Sequence, residues 1–266
     1  MKATPFTPAD IDSLPYIQPE GWPDIRPYFT YYTRSSFCFP IKIVNDDKMI
    51  GTGTTIIHQD VAWLAHIIVH KEYRKQGIGK LITESLVNSL KSTNCTTVYL
   101  LATDLGAPVY EKVGFETETE YLLFKDITVK EKPTLPDPIT PYEVKYKKQI
   151  AALDKSTSGE ERLFHLEEHL QTGFVYSDNG SLKGFYLPSF GDGLIIAGDP
   201  AAGLALLKLH LASQNRAFFP KENLVATDYL SENGNKKVST AKRMRLGKIR
   251  PVKFDNIYNR IGGNLG

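Results

Sequence analysis

The chain has 266 residues, 41% of them hydrophobic and 23% charged, with a formal net charge of +2. Those values describe ordinary globular protein and a length above one small domain, at roughly 100–200 residues per domain. A charge so close to neutral argues against a nucleic-acid surface, no window nears the ~18 uninterrupted apolar residues of a spanning helix, and two cysteines, Cys38 and Cys95, make no disulfide framework.

Met1-Lys2-Ala3-Thr4-Pro5 lacks the apolar core of a signal peptide, so a cytoplasmic setting is expected, with no membrane and no nucleic acid as partner. Residues 23–34 carry Ile25, Tyr28, Phe29 and Tyr32 at helical spacing behind Pro23. Residues 39–44 read as a strand, followed by the polar turn Asn45-Asp46-Asp47-Lys48. A second strand covers 49–57, with Gly51 and Gly53 on one face. Residues 63–69 form a third, apolar on both faces apart from His66, as a central strand would be. A glycine-containing turn then opens a helix over 79–91, with Leu81, Ile82, Leu86, Val87 and Leu90 on one side. A strand at 98–102 precedes a short helix at 108–113, which Pro108 tolerates in its first turn and Gly114 ends. A last strand runs from 115 to 124. Strands on either side of a glycine-opened helix predict an α/β layer fold.

A composition shift at Lys130-Glu131-Lys132-Pro133-Thr134-Leu135-Pro136-Asp137-Pro138 reads as a linker, since three prolines disfavour helix and central strand alike. It divides the chain into domains at 1–130 and 139–266. In the second half the pattern predicts a helix over 154–171 stopped by Gly173. A hairpin turns at Asp178-Asn179-Gly180. Strands follow at 194–197 and 224–226, with a helix at 200–213. The basic run Lys242-Arg243-Met244-Arg245 reads as a solvated strand end more readily than as a nucleic-acid patch.

The strongest signal is the strand–turn–helix unit at 63–91. Glu72-Tyr73-Arg74-Lys75-Gln76-Gly77-Ile78-Gly79 leads straight into the helix. A helix start carries unpaired N–H groups and partial positive charge. Gly77 and Gly79 let backbone close around an anion, and Arg74, Lys75 and Lys80 add charge. The spacing is too short for a P-loop, and Lys80 is followed by Leu81. A Rossmann turn would need a third glycine where Ile82 stands.

Arg74-x-x-Gly77-x-Gly79 at a strand-to-helix junction resembles the signature of the GNAT acetyltransferase superfamily. A second motif follows in order, Val109-Tyr110-Glu111-Lys112-Val113-Gly114-Phe115. Together they cover about residues 1–128. The second half resembles the degenerate, GNAT-like C-terminal domain of tandem members. Asp154-x-Ser156-x-x-Gly159-x-x-Arg162, the run 194–202 and Arg243-Met244 carry that weaker likeness. The expected architecture is therefore α/β (α+β): two GNAT-like domains, each a mixed, mostly antiparallel sheet flanked by helices.

The resemblance implies acetyl-CoA as cosubstrate and no metal. Backbone at Ile67, Ile68 and Val69 would pair with its pantetheine arm. The loop Arg74, Lys75, Gln76, Gly77, Ile78, Gly79, Lys80 would hold its pyrophosphate. Thr103 stands where many relatives place a coenzyme-contacting Asn, and Asp104 beside it could cap the next helix. Tyr110 would serve as general acid to the leaving thiolate, its place in the first turn of a helix favouring the anion. The implied reaction is acetyl transfer to a primary amine on a small molecule. A protein lysine or N-terminus as acceptor, or a non-catalytic acyl-CoA sensor, are the alternatives. The family's base positions on the third strand align with Trp63 and Ala65, which accept no proton. Strand alternation puts His66 on the other face with Leu64 and Ile68, leaving His58, Glu20 or a water as base. Trp22, Tyr28, Tyr31 and Trp63 line an acceptor pocket or simply fill core. Asp154, Ser156 and Arg162 touch substrate or serve as a helix cap and a surface residue. A homodimer is compatible with all of this.

Overall fold

A computed structural model describes residues 2–128 and 138–266. The expected linker therefore lies, but for Pro138, outside the described residues. The elements in chain order are β1 (Ala3–Pro5), α1 (Leu14–Ile17), α2 (Arg26–Arg34), β2 (Cys38–Asn45), β3 (Lys48–His58), β4 (Val61–Val69), α3 (Ile78–Ser89), β5 (Thr97–Ala102), α4 (Ala107–Glu111) and β6 (Glu116–Phe124). They continue as β7 (Ile139–Pro141), α5 (Lys147–Ser158), α6 (Leu163–Leu166), β8 (Phe174–Asp178), β9 (Ser181–Leu187), β10 (Leu194–Ala197), α7 (Pro200–Leu211), β11 (Ala217–Pro220), α8 (Leu224–Glu232), β12 (Lys237–Gly247) and β13 (Ile257–Asn259). Mixed, mostly antiparallel sheets flanked by helices answer the expected fold class. No described helix is long and apolar enough to cross a membrane.

The chain separates into two compact units, and neither is one continuous segment. The first comprises Met1–Thr117, Met244–Ile249 and Gly263–Leu265; the second comprises Glu118–Arg243, Arg250–Gly262 and Gly266.

In the first unit the strands lie in the order β1-β2-β3-β4-β5. β1–β2, β2–β3 and β3–β4 pair antiparallel, whereas β4 and β5 run parallel. The glycines Gly51 and Gly53 face α3. A Cβ on either would stand 2.8 Å from a methyl group of Ile82, so their absence lets the helix dock close against β3. Ala62, Leu64, Val98, Leu100, Ile78, Ile82 and Leu86 make the core on that side. Residues returning from the C-terminal half close the unit. Lys248 donates to Thr96 O at 2.9 Å, and Thr97 Oγ1 donates to Lys248 O at 2.9 Å. Met244 is fully buried, and Arg245 pairs with Glu116 at 2.8 Å.

In the second unit β6 pairs antiparallel with β11, and a five-stranded sheet runs β13-β10-β9-β8-β7. The hairpin turns where Asn179 and Gly180 both have positive φ, as its two-residue loop demands. Two readings of this half need correction. Residues 224–226 open the helix α8 rather than form a strand, because Asn223 accepts from Ala226 N and so satisfies the helix start. The helix expected over 154–171 begins earlier and is broken at Gly159. That residue is left-handed at φ 73 and stands where a Cβ would lie 2.9 Å from Pro251 O.

Arg162 is neither a surface residue nor free to meet a substrate. It is 4% exposed and makes a forked pair with Asp154, itself 2% exposed, at 2.9 and 3.0 Å. The basic run is not a solvated strand end either: Arg243 is buried and pairs with Glu118 at 3.2 Å.

Candidate functional site

Strand β4 prepares the site by leaving its neighbour. Its parallel register with β5 covers only Val61↔Thr97, Ala62↔Val98 and Trp63↔Tyr99. Both strands run on, β4 to Val69 and β5 to Ala102. Past Trp63 the edge of β4 that faced β5 is free of that ladder, and backbone groups away from a ladder need another partner. Ile67, Ile68 and Val69 lie in this stretch. The Val69 carbonyl accepts from Arg74 Nε at 3.2 Å, which ties the loop back to the strand.

Opposite β3 the same strand carries a bulge. Thr54 pairs with Ala65, but Thr52 pairs with Ile68, so β4 holds one residue more than β3. His66 takes the strain, at φ 47. The insertion reverses the alternation. Leu64 and Ala62 join the core against α3, and after the bulge so do Ile67 and Val69. His66 therefore does not share the face of Leu64, as strict alternation required. It turns to α2, where Tyr28, Phe29 and Tyr32 stand 4.9, 5.8 and 5.6 Å from its ring centre.

The loop ahead of α3 is built to receive an anion. Lys75 and Gly77 both have positive φ, 61 and 83, with Gln76 between them. Such alternation turns successive N–H groups toward one hollow. No side chain caps α3, so the N–H groups of its first turn keep no side-chain partner. A Cβ on Gly77 would meet nothing within 4 Å. Gly77 is thus required for its left-handed backbone, and the space above it is open. Gly79 would accept a Cβ at ordinary contact with Val109 and Val69, 3.7 and 3.8 Å away. Arg74, Lys75 and Gln76 are exposed around the hollow, and Lys80 lies 3.6 Å from Glu84 one turn on. These features fit a coenzyme A pyrophosphate.

The corresponding strand–helix junction of the second unit is closed. Asp199 caps α7, its carboxylate accepting from Ala202 N at 2.9 Å. The chain's own negative charge already occupies that helix start.

Thr103 holds the turn before α4. Its hydroxyl accepts from Gly106 N at 3.3 Å and its carbonyl accepts from Ala107 N at 3.0 Å. Asp104 does not cap α4: the N-cap is Gly106, no side chain bonds the helix start, and Thr103 only closes the turn ahead of it. Tyr110 lies in α4, buried, its ring T-shaped to Phe115 at 6.2 Å. Burial pushes its phenol up to about 12, against the direction expected from the helix start alone.

The proposed acceptor aromatics separate. Trp22 is 43% exposed and lies edge-on to His66 at 6.3 Å; Tyr28, 40% exposed, adjoins the same ring. Trp63 is fully buried against Tyr99 at 5.2 Å, and Tyr31 packs on Phe37 and Tyr32. His58 is fully buried, while Glu20 is exposed and 3.8 Å from Lys71. No group of three or more His, Cys, Asp or Glu side chains suited to a metal ion occurs among the described residues.

Known proteins resemble the chain in sequence and in fold. The model of the Acetyltransferase (GNAT) family matches residues 7–115. The protein YyaT of Bacillus subtilis is 30% identical over 83 residues, 31% of this chain and 56% of that protein. The ribosomal protein bS18-alanine N-acetyltransferase of Salmonella typhimurium is 28% identical over 82 residues, 30% of this chain and 55% of the enzyme. The chain thus spans little more than half the length of these two relatives. Among solved structures, a proposed acetyltransferase of Pyrococcus horikoshii superposes with a TM-score of 0.82 at 22% identity, over 99% of this chain and 95% of that one. A tandem GNAT protein from the clavulanic acid biosynthesis pathway gives 0.63 at 13% identity, over 92% and 98%. At those identities the likeness is one of fold. Both motifs, the parted strand pair and the uncapped helix fall within or beside residues 7–115, the segment that matches the Acetyltransferase (GNAT) family.

Proposed function

We propose that the first unit binds acetyl-CoA and passes its acetyl group to the primary amine of a small molecule. The second unit is then a GNAT-like partner domain without a coenzyme of its own. The observation that carries this reading is the uncapped α3 start behind Lys75 and Gly77, beside a β4 edge that has left β5. The bound coenzyme supplies a thioester carbonyl open to an amine. Backbone of residues 67–69 orients its arm, and residues 74–80 hold its phosphates. Tyr110 stays a neutral phenol and donates a hydrogen bond toward the leaving sulfur. Its pKa of about 12 lies well above a thiol near 8.5, so donation short of full proton transfer is its role.

The acceptor is read as small because the aromatic rings of Trp22 and Tyr28 close around His66 on that face. An alkylamine with a pKa near 10.4 is neutral in only about one molecule in 2,500 at pH 7. An apolar rim favours that neutral form, since desolvation disfavours ammonium. The test is thiol release from acetyl-CoA across a panel of primary amines and lysine-containing peptides. Turnover on small amines supports the reading. Turnover on peptides alone would transfer it to protein acetylation, and tight coenzyme binding with no turnover would replace it with an acyl-CoA sensor.

A further inference from the structure

The acceptor face contains a polar chain that coenzyme binding does not use. His66 Nδ1 lies 2.9 Å from Tyr32 Oη. Asn264 Nδ2 lies 3.2 Å from the same oxygen, brought there by the segment Gly263–Leu265 that folds into the first unit. An amide nitrogen only donates, so Asn264 fills a lone pair of Tyr32 Oη. The phenol proton is then directed to His66. Nδ1 accepts it, and a neutral ring must carry its own proton on Nε2. Nε2 makes no hydrogen bond to the described residues. The ring remains partly exposed, at the edge where Trp22 and Tyr28 reach the surface. Trp22, Tyr28, Phe29 and Tyr32 are the rings against it, and no charge among the described residues shifts its titration. Burial alone moves its pKa, down to about 4.

We propose that Tyr32 and Asn264 are positioning residues that fix His66 as an Nε2–H donor, and that this N–H grips a hydroxyl or carbonyl oxygen on the acceptor amine. The inference rests on the acetyl-transfer reading for its ligand and deepens it. A base would need a free lone pair at Nε2, which this tautomer lacks. The strained left-handed backbone at His66 has a use on this account, since it aims the ring out of the sheet and onto α2.

The full-length protein, labelled with 15N-histidine, tests it. Long-range proton–nitrogen correlations identify the tautomer of each ring, and His66 is assigned by the signal lost in His66→Gln. The expected result is an Nε2–H ring that stays neutral from about pH 5.5 to 8, and in Tyr32→Phe a mixture of tautomers. An Nδ1–H ring, or titration near pH 6.5, would overturn the proposal whether or not the protein transfers acetyl groups. Kinetics with acetyl-CoA and 2-aminoethanol add a second arm. His66→Gln keeps an N–H donor and should retain acceptor affinity better than His66→Leu. His66→Leu should raise the acceptor KM by up to ~tenfold, the loss of one hydrogen bond, with kcat and the acetyl-CoA KM unchanged. Equal loss in Gln and Leu would point to a base instead, and a fall in kcat with no change in acceptor KM would remove the acceptor oxygen; either result overturns the assignment.

Discussion

Burial holds both Tyr110 and His66 neutral, the phenol by raising its pKa and the imidazole by lowering it. For Tyr110, in the role proposed for it, the consequence is a phenol that donates without ionising. Tyr110→Phe should lower kcat at least ~tenfold, short of the full range of general-acid catalysis, and leave acetyl-CoA KM nearly unchanged. Steady-state rates at saturating acceptor check this. For His66 the consequence is a pH-dependent stability. Its pKa falls from 6.5 to about 4 on folding, so the unfolded chain binds the proton first. The contribution is complete above about pH 6.5 and declines as pH falls toward 4, by about 3 kcal/mol at ~1.4 kcal/mol per unit. Denaturant unfolding at both ends of that window, in wild type and His66→Gln, should show the variant less sensitive to acid. The place of Tyr110 in a short helix was legible because its motif is local. His66 was placed on the wrong face because alternation presumes a regular strand, and nothing in Ala65-His66-Ile67 signals an extra residue. Asn264 was invisible for another reason: 232 positions separate it from Tyr32.

Helix α3 and the strands beneath it were legible almost residue by residue, since helical periodicity, two packing glycines and a glycine-opened turn agree there. Gly53 shows why. A Cβ at that position would stand 2.8 Å from Ile82 Cγ2 and 3.0 Å from Leu86 Cδ1. Gly53→Ala should therefore cost about 1–3 kcal/mol by overpacking, read as a lower urea midpoint. An unchanged midpoint would mean the helix shifts freely and is not fixed by this contact. The second half was read less well at its helices. The segment Leu224-Val225-Ala226 has the composition of a strand, but the Asn223 cap outweighs that weak preference. Gly159 looked like one more residue of a helix, and its left-handed turn against Pro251 ends that helix instead.

Across the whole chain, the sequence shows where composition changes but not which segments pack together. Met244–Ile249 and Gly263–Leu265 belong with the first unit, although they lie more than a hundred residues beyond it. The second unit has its own buried determinant in Arg162 and Asp154. Asp154→Ala would remove the forked partner of a buried guanidinium, leaving Glu160 as the carboxylate that still acts on it, and should destabilise by about 3 kcal/mol, the low end for breaking a buried pair, visible as loss of a cooperative transition from that unit. The two strand–helix junctions also differ in electrostatics. The first has an open helix start, whereas the second carries a carboxylate on its own. One coenzyme per chain is the expected stoichiometry.

Calorimetric titration of the full-length protein with acetyl-CoA, in wild type and in Gly77→Asp, measures this most directly. Aspartate tolerates a left-handed backbone better than most residues and places at α3 the kind of charge that Asp199 places at α7. The account predicts one equivalent bound by wild type and an affinity at least ~tenfold weaker in the variant, a change of about 1.4 kcal/mol. Undiminished uptake by Gly77→Asp, or none by wild type, would contradict it.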